Sequence, residues 1–210
     1  MIRLLIADDH PVVREGLRRI VADDPGLQVV GEAVDGDGVL ALISRQPTDV
    51  VLLDVSMPGP GFLQVLERLR AEHPGVKVLV LSVHPEEQYA VRALRAGAAG
   101  YLTKDHSPEQ LIEAIRRVHR GGKYVSPTLA ERLATDLAAG GPQAAHELLS
   151  HREYDVLCLL GSGRTVKEIS AELDLSPKTV STYRARLLEK MRLTGNADLV
   201  RYAARHGLIR

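Results

Sequence analysis

Over its first 120 residues the chain alternates five times between a short apolar run and a longer stretch of helical period, and this alternation restricts the fold more than any other feature. The apolar runs fall at residues 2–7, 27–30, 50–53, 76–81 and 98–102. Each has the length of a strand, and Val50-Val51-Leu52-Leu53 is apolar throughout, as a strand buried on both sheet faces requires. Residues 11–21, 38–45, 62–71, 86–95 and 108–120 supply the helices, with Pro11 and Pro108 suited to the first turn.

Strand-helix units repeated in this way predict an α/β fold: a flavodoxin-like, doubly wound, five-stranded parallel sheet. With strand order 2-1-3-4-5, ligands bind beyond the carboxyl ends of the strands, at the switch between strands 1 and 3. The chain places its reactive groups there. Asp8 and Asp9 end strand 1, Asp54 ends strand 3, Ser82 follows strand 4 and Lys104 lies just past strand 5. Taken alone, Asp54 reads as a strand end or a helix cap, and Lys104 as half of a surface ion pair with Asp8 or Asp105. Together they form a rim of three carboxylates, one hydroxyl and one ammonium. Clustered carboxylates repel one another unless a cation lies among them, and an oxygen-rich, water-accessible set suits Mg²⁺. Such a site fits phosphoryl transfer, with Asp54 as nucleophile and Lys104 stabilising charge.

Asp8-Asp9, Asp54 with Met57-Pro58-Gly59, Ser82 after Val78-Leu79-Val80-Leu81, and Gly100-Tyr101-Leu102-Thr103-Lys104 resemble the receiver domain of bacterial two-component response regulators over about residues 1–120. The resemblance implies that Asp54 accepts a phosphoryl group from a sensor histidine kinase. It also implies that Asp9, Asp54 and the main-chain carbonyl of Ser56 hold Mg²⁺, with Asp8 acting through water. Ser82 and Tyr101 become a switch pair, Tyr101 turning inward when Asp54 is phosphorylated. Two departures stand out. Gly61 and Phe62 occupy places where many receivers have Asp and Gly, and Asp105 replaces the Pro that often follows the Lys.

Gly121-Gly122 stops the fifth helix. Ser126 and Pro127 then open a short linker helix with Leu129, Leu133 and Leu137 at i,i+4 spacing, and Ala138-Ala139-Gly140-Gly141-Pro142 reads as a tether. The organisation expected is a phosphoacceptor domain at 1–120, a linker at 121–145 and a DNA-binding domain at 146–210. Charge follows that division, since residues 148–210 carry 11 Lys and Arg against 7 Asp and Glu, within a chain of zero net charge. An excess so small points to nucleic acid only beside a reading element.

That element is a helix-turn-helix. Four helices are expected at 150–160, 166–173, 177–191 and 197–206, the third starting sharply at Ser176-Pro177. Val180, Tyr183, Leu187 and Met191 make its inward stripe. Lys178, Ser181, Thr182, Ala185 and Glu189 lie opposite, flanked by Arg184 and Arg186. Leu149-Ser150-His151-Arg152-Glu153, Lys167-Glu168-Ile169-Ser170 and Leu175-Ser176-Pro177-Lys178-Thr179-Val180 resemble the LuxR-type DNA-binding domain, and the whole chain resembles a NarL/FixJ-type response regulator. The resemblance implies base contacts at Ser181, Thr182 and Ala185 and phosphate contacts at Lys178 and Thr179, with Arg184 and Arg186 beside them. It implies double-stranded DNA as a partner, a homodimer on activation and transcriptional control.

Two other readings stay open here: a phosphorylation-independent DNA-binding regulator with a scaffold receiver, and a phosphoaspartate-dependent phosphatase. Phosphatases of the haloacid dehalogenase type carry a second Asp two residues after the nucleophile, where this chain has Ser56. No apolar run approaches the length of a membrane span, so a cytoplasmic protein is expected. The single cysteine, Cys158, is expected as a buried small residue rather than a redox or metal centre.

Overall fold

The computed structural model describes residues 1–83, 86–131, 134 and 145–209. They belong to two compact units, Met1–Gly141 and Pro142–Arg210. The first unit alternates β1 (Ile2–Ala7), α1 (Pro11–Ala22), β2 (Leu27–Ala33), α2 (Gly36–Ile43), β3 (Val50–Asp54), α3 (Phe62–Glu72), β4 (Lys77–Ser82), α4 (Glu86–Ala96), β5 (Gly100–Thr103) and α5 (Pro108–His119). The strands form one sheet in the order β2-β1-β3-β4-β5, every pair parallel. This is the doubly wound arrangement that the alternation predicts.

Alternation of side chains across each strand explains how the sheet is buried on both sides. On one face Leu4, Ile6, Val50, Leu52, Leu79 and Leu81 pack with Leu17 and Val21 of α1 and with Leu111, Ile115 and Val118 of α5. Their neighbours Leu5, Val51, Leu53 and Val80 are equally buried on the other. Each such side chain stabilises the fold by about 1.5–3 kcal/mol relative to exposure.

Local deviations from the sequence pattern have identifiable causes. β2 continues past residue 30, because a register shift between Leu4 and Leu5 lets Gly31, Glu32 and Ala33 pair with Leu5, Ile6 and Ala7. The strand is an edge whose residues 28–32 are partly or fully exposed, so Gly31 and Glu32 need not be apolar, while Ala33 is buried. α2 starts at Gly36 rather than 38, since the Asp35 side chain accepts a hydrogen bond from Gly38 N at 2.7 Å. A Cβ on Gly36 would lie 2.7 Å from Pro60 O, so the 59–61 loop depends on that glycine. α3 begins without a side-chain cap at Gly61, and the buried Phe62 anchors it instead.

The segment after α5 is partly built into the sheet edge. Tyr101 N donates to Tyr124 O at 3.0 Å and Tyr124 N to Ala99 O at 3.1 Å, so residues just past 121 belong to the first unit. Residues 127–131 are helical and open at Ser126, whose Oγ accepts from Leu129 N at 3.1 Å. Leu133, Leu137 and the 138–142 tether lie outside the described residues.

The second unit comprises a 3₁₀ turn (Ala145–Leu148), which the sequence pattern does not announce, then α6 (His151–Gly161), α7 (Val166–Glu172), α8 (Pro177–Met191) and α9 (Asn196–Arg205). Ser150 with Glu153 and Thr165 with Glu168 form capping boxes, and the Ser176 side chain accepts from Thr179 N. These caps satisfy the amides that a short helix leaves unpaired and so permit three helix starts within 27 residues. Tyr154, Leu157, Ile169, Val180, Leu187 and Leu199 fill the core. Cys158 is half-exposed rather than buried.

Candidate functional site

The carboxyl ends of four neighbouring strands meet at one rim. Asp8 follows β1, Asp54 closes β3, Ser82 closes β4 and Lys104 follows β5. Asp8, Asp54 and Ser82 are all buried, at 1%, 2% and 0% exposure. Lys104 Nζ lies 2.6 Å from Asp8 Oδ2 and 2.8 Å from Asp54 Oδ1, although 96 residues separate Lys104 from Asp8. The ion pair expected of Lys104 with Asp8 therefore exists, but inside the rim and shared with Asp54. Lys104 N donates to Ser82 O at 2.7 Å, which fixes the β5 end against β4. No cis peptide occurs among the described residues, so the Lys104–Asp105 bond is trans.

Burial pushes the Asp54 carboxyl up from its ordinary value, the Asp8 charge adds to that, and the Lys104 ammonium opposes both. For Lys104, burial works against the charged form, yet the hydrogen bonds and charges of Asp54 and Asp8 outweigh it and hold the ammonium above its usual value. The rim thus carries one firmly charged cation among more carboxylate charge than it balances. Asp54 Oδ2 accepts from Ser56 N at 3.2 Å. Asp8 Oδ1 accepts from His10 N at 2.8 Å.

Asp9 stands at the mouth, its side chain one-third exposed. Its Oδ1 is buried and accepts no well-formed hydrogen bond among the described residues, though His10 Nδ1 lies 2.8 Å away. Ligand atoms of Asp8, Asp9, His10 and Asp54 all lie within 4.8 Å of one another. An orphaned carboxylate oxygen amid oxygen donors fits a hard divalent cation such as Mg²⁺. His10 is the member that motif reasoning passed over, and its only sequence signal is its place directly after Asp8-Asp9.

The Tyr101 side chain is 2% exposed and lies inside in this structure. The residue pairs with Val80 of β4, and its ring is buried within the first unit.

In the second unit, α7 and α8 form the expected helix-turn-helix. Val180, Leu187 and Met191 are buried and Tyr183 is half-buried, which leaves Lys178, Ser181, Thr182, Ala185 and Arg186 exposed and Thr179 and Arg184 partly so. The hydroxyls are engaged within the helix: Ser181 Oγ donates to Pro177 O at 2.8 Å and Thr182 Oγ1 to Lys178 O at 3.0 Å. Arg184 Nε donates to Asn196 Oδ1 at 2.7 Å, tying α8 to the start of α9. Glu153, which the sequence marks only through the family resemblance, supports the helix-turn-helix: it is 2% exposed, and its Oε2 accepts from Ser150 N and from Lys190 Nζ, both at 2.7 Å. It joins the last turn of α8 to the first turn of α6.

Comparison with known proteins agrees with both halves. Residues 4–116 match the family described as response regulator receiver domain, and residues 147–203 match bacterial regulatory proteins, luxR family. The chain is 42% identical to the response regulator GacA of Pseudomonas aeruginosa, over 100% of this chain and 98% of that protein. It is 39% identical to the response regulator UvrY of Escherichia coli, over 99% and 96%. Among solved structures, RcsB of Salmonella enterica serovar Typhimurium, bound to promoter P1flhDC in the presence of the phosphomimetic BeF₃⁻, is similar at TM-score 0.60 and 26% identity over 97% of this chain and 98% of that one. A LuxR-family two-component response regulator from Aurantimonas sp. is similar at TM-score 0.59 and 34% identity over 65% and 97%.

Proposed function

The chain belongs to the response regulators that join a receiver to a LuxR-type DNA-binding domain and regulate transcription in two-component systems, and on that premise we propose that Asp54 is its phosphoacceptor and α8 its DNA-reading helix. The observation that carries this reading is Asp54 at the end of β3, buried and 2.8 Å from Lys104. A carboxylate so placed attacks the phosphorus of a phosphohistidine on a sensor kinase. The Asp54 O–P bond forms as the histidine N–P bond breaks, and the electron pair leaves on the imidazole. The product is an acyl phosphate.

Asp9, Asp54 and the Ser56 main-chain carbonyl would hold Mg²⁺, with Asp8 acting through water. When bound, it supplies positive charge that offsets the carboxylates and the oxygens of the incoming group. Lys104 shares in that work from the β5 side, where it already meets Asp54. The buried Ser82 hydroxyl on the adjacent strand would donate to a phosphoryl oxygen. A phosphoryl group would then hold Ser82 and the inward Tyr101 in place, favouring one state rather than creating it.

Phosphorylation would favour a homodimer that binds double-stranded DNA. Lys178 and Thr179, with Arg184 and Arg186 at the flanks, would meet phosphates, and Ser181, Thr182 and Ala185 base edges. The protein acts as a regulator rather than a turnover enzyme, since Ser56 stands where phosphatases place a second Asp. No described helix is long and apolar enough to cross a membrane, which agrees with a cytoplasmic setting for its kinase and DNA. Mass spectrometry after treatment with acetyl phosphate and Mg²⁺, paired with DNA-binding titrations, tests the reading. One added phosphoryl group on Asp54 with tighter DNA binding is expected, and modification elsewhere at full stoichiometry overturns it.

A further inference from the structure

We propose that His10 is a fourth protein ligand at the acidic rim and tilts the site from Mg²⁺ toward first-row transition cations such as Mn²⁺, Co²⁺ and Zn²⁺. The proposal rests on the reading of that rim as a cation site. His10 Nδ1 lies 2.8 Å from Asp9 Oδ1 and 3.4 Å from Asp8 Oδ1, and its donors and those of Asp54 fall within one 4.8 Å cluster. The 2.8 Å approach is not a well-formed hydrogen bond, because Asp9 Oδ1 has no such partner among the described residues. Asp9 Oδ1 therefore keeps acceptor capacity beside the imidazole nitrogen, which a cation shared by the two can use.

The backbone holds the ring in position. His10 N donates to Asp8 Oδ1 at 2.8 Å, and Pro11 opens α1 at the next residue, so the ring's starting point is fixed by the cluster itself. The ring is 64% exposed, which leaves it room to turn onto an ion entering from solvent. Imidazole nitrogen is a borderline donor that suits Mn²⁺ through Zn²⁺, whereas Mg²⁺ prefers oxygen and surrenders its waters reluctantly. A mixed set of carboxylates and one imidazole therefore discriminates by donor type. An all-oxygen set would not.

The test uses the full-length protein, titrated calorimetrically with Mg²⁺ and with Co²⁺, and compares wild type with His10→Ala, His10→Gln and Asp9→Asn. Loss of His10 is expected to weaken Co²⁺ by about tenfold or more and Mg²⁺ far less, so that the ratio of the two affinities collapses. The visible bands of the Co²⁺ complex should shift in His10→Ala and His10→Gln, a readout independent of phosphorylation, and thermal melting confirms that the variants fold. An unchanged affinity ratio with unchanged bands overturns the proposal while leaving the rim as a Mg²⁺ site. Co²⁺ binding that survives both His10→Ala and Asp9→Asn places the ion on another of the chain's eight histidines and also overturns it. Failure of the wild type to bind either cation removes the cation-site reading together with the proposal.

Discussion

Lys104 Nζ lies 2.8 Å from Asp54 Oδ1, joining the residue after β5 to the last residue of β3 across the intervening strand β4. It also meets Asp8, and no other described ammonium or guanidinium pairs with either carboxylate. The cation is what makes two buried carboxylates tolerable side by side. Replacing it with an apolar group of similar length should expose that dependence.

Lys104→Met is expected to lower stability by about 3 kcal/mol in the presence of a chelator, since one partner of a buried pair is removed while the other charges remain. Added Mg²⁺ should restore much of the loss. Thermal denaturation with EDTA and with Mg²⁺ checks this, and equal melting of variant and wild type under both conditions would contradict it.

Asp54→Asn is expected to abolish phosphoryl incorporation from acetyl phosphate. Because burial raises the Asp54 carboxyl, the charged form is unfavourable in the fold, and the amide should not reduce the melting temperature. Intact-mass measurement and melting curves report the two outcomes separately.

At the opposite end of the sheet, Arg3 clamps Asp49: Nε donates to Oδ2 at 2.9 Å, Nη2 to Oδ1 at 2.6 Å and the main-chain N to Oδ2 at 2.8 Å. The side-chain hydrogen bonds from Arg3 hold Asp49 at about 2, below its usual 3.8. A depressed carboxyl contributes stability that is full above the unfolded value and lost as pH falls through the folded one. Asp49→Asn should therefore destabilise the protein near neutrality and approach wild type as pH falls from 3.8 through about 2. Denaturant melts across that range measure the convergence, and a constant difference would count against the clamp.

Lys190→Met should leave Glu153 buried with only its Ser150 partner and cost the second unit about 1–3 kcal/mol, the usual range for stranding a buried polar group. A Glu153→Gln, Lys190→Met double variant should lose less than the sum of the singles. Additive losses would show the two residues to be uncoupled.

On α8, Lys178→Ala is expected to weaken binding to all DNA sequences alike and to reduce the salt slope by about one, as loss of one phosphate contact does. Thr182→Val should instead change base preference. Titrations on specific and random duplexes at several salt concentrations distinguish them, and identical behaviour of both variants would refute the division of roles.

Much of this arrangement is local enough to be read from residue order. Val50 to Leu53 are apolar because both sheet faces are covered, and Asp54 interrupts them because it has reached the rim. Ser176-Pro177 starts α8 where the cap and the fixed proline φ require. Less was visible where the signal weakens. Gly31 is half-buried and Glu32 exposed, so the end of β2 bears only the buried Ala33 as an apolar mark, and pairing with β1 is what makes these residues strand.

What the sequence determines by itself is therefore periodic or adjacent: the five alternating elements, the carboxylates at strand ends and the capped starts of the last helices. The tertiary structure alone decides which ends are neighbours, and hence that Lys104 meets Asp8 and Asp54. It alone shows Tyr101 already buried, Glu153 tied to Lys190 and His10 turned toward Asp9. The physical reason lies in range. Hydrophobic period and capping act over a few residues and leave a mark in residue order, whereas charge pairing and close packing depend on distances that exist only once the sheet has closed its register.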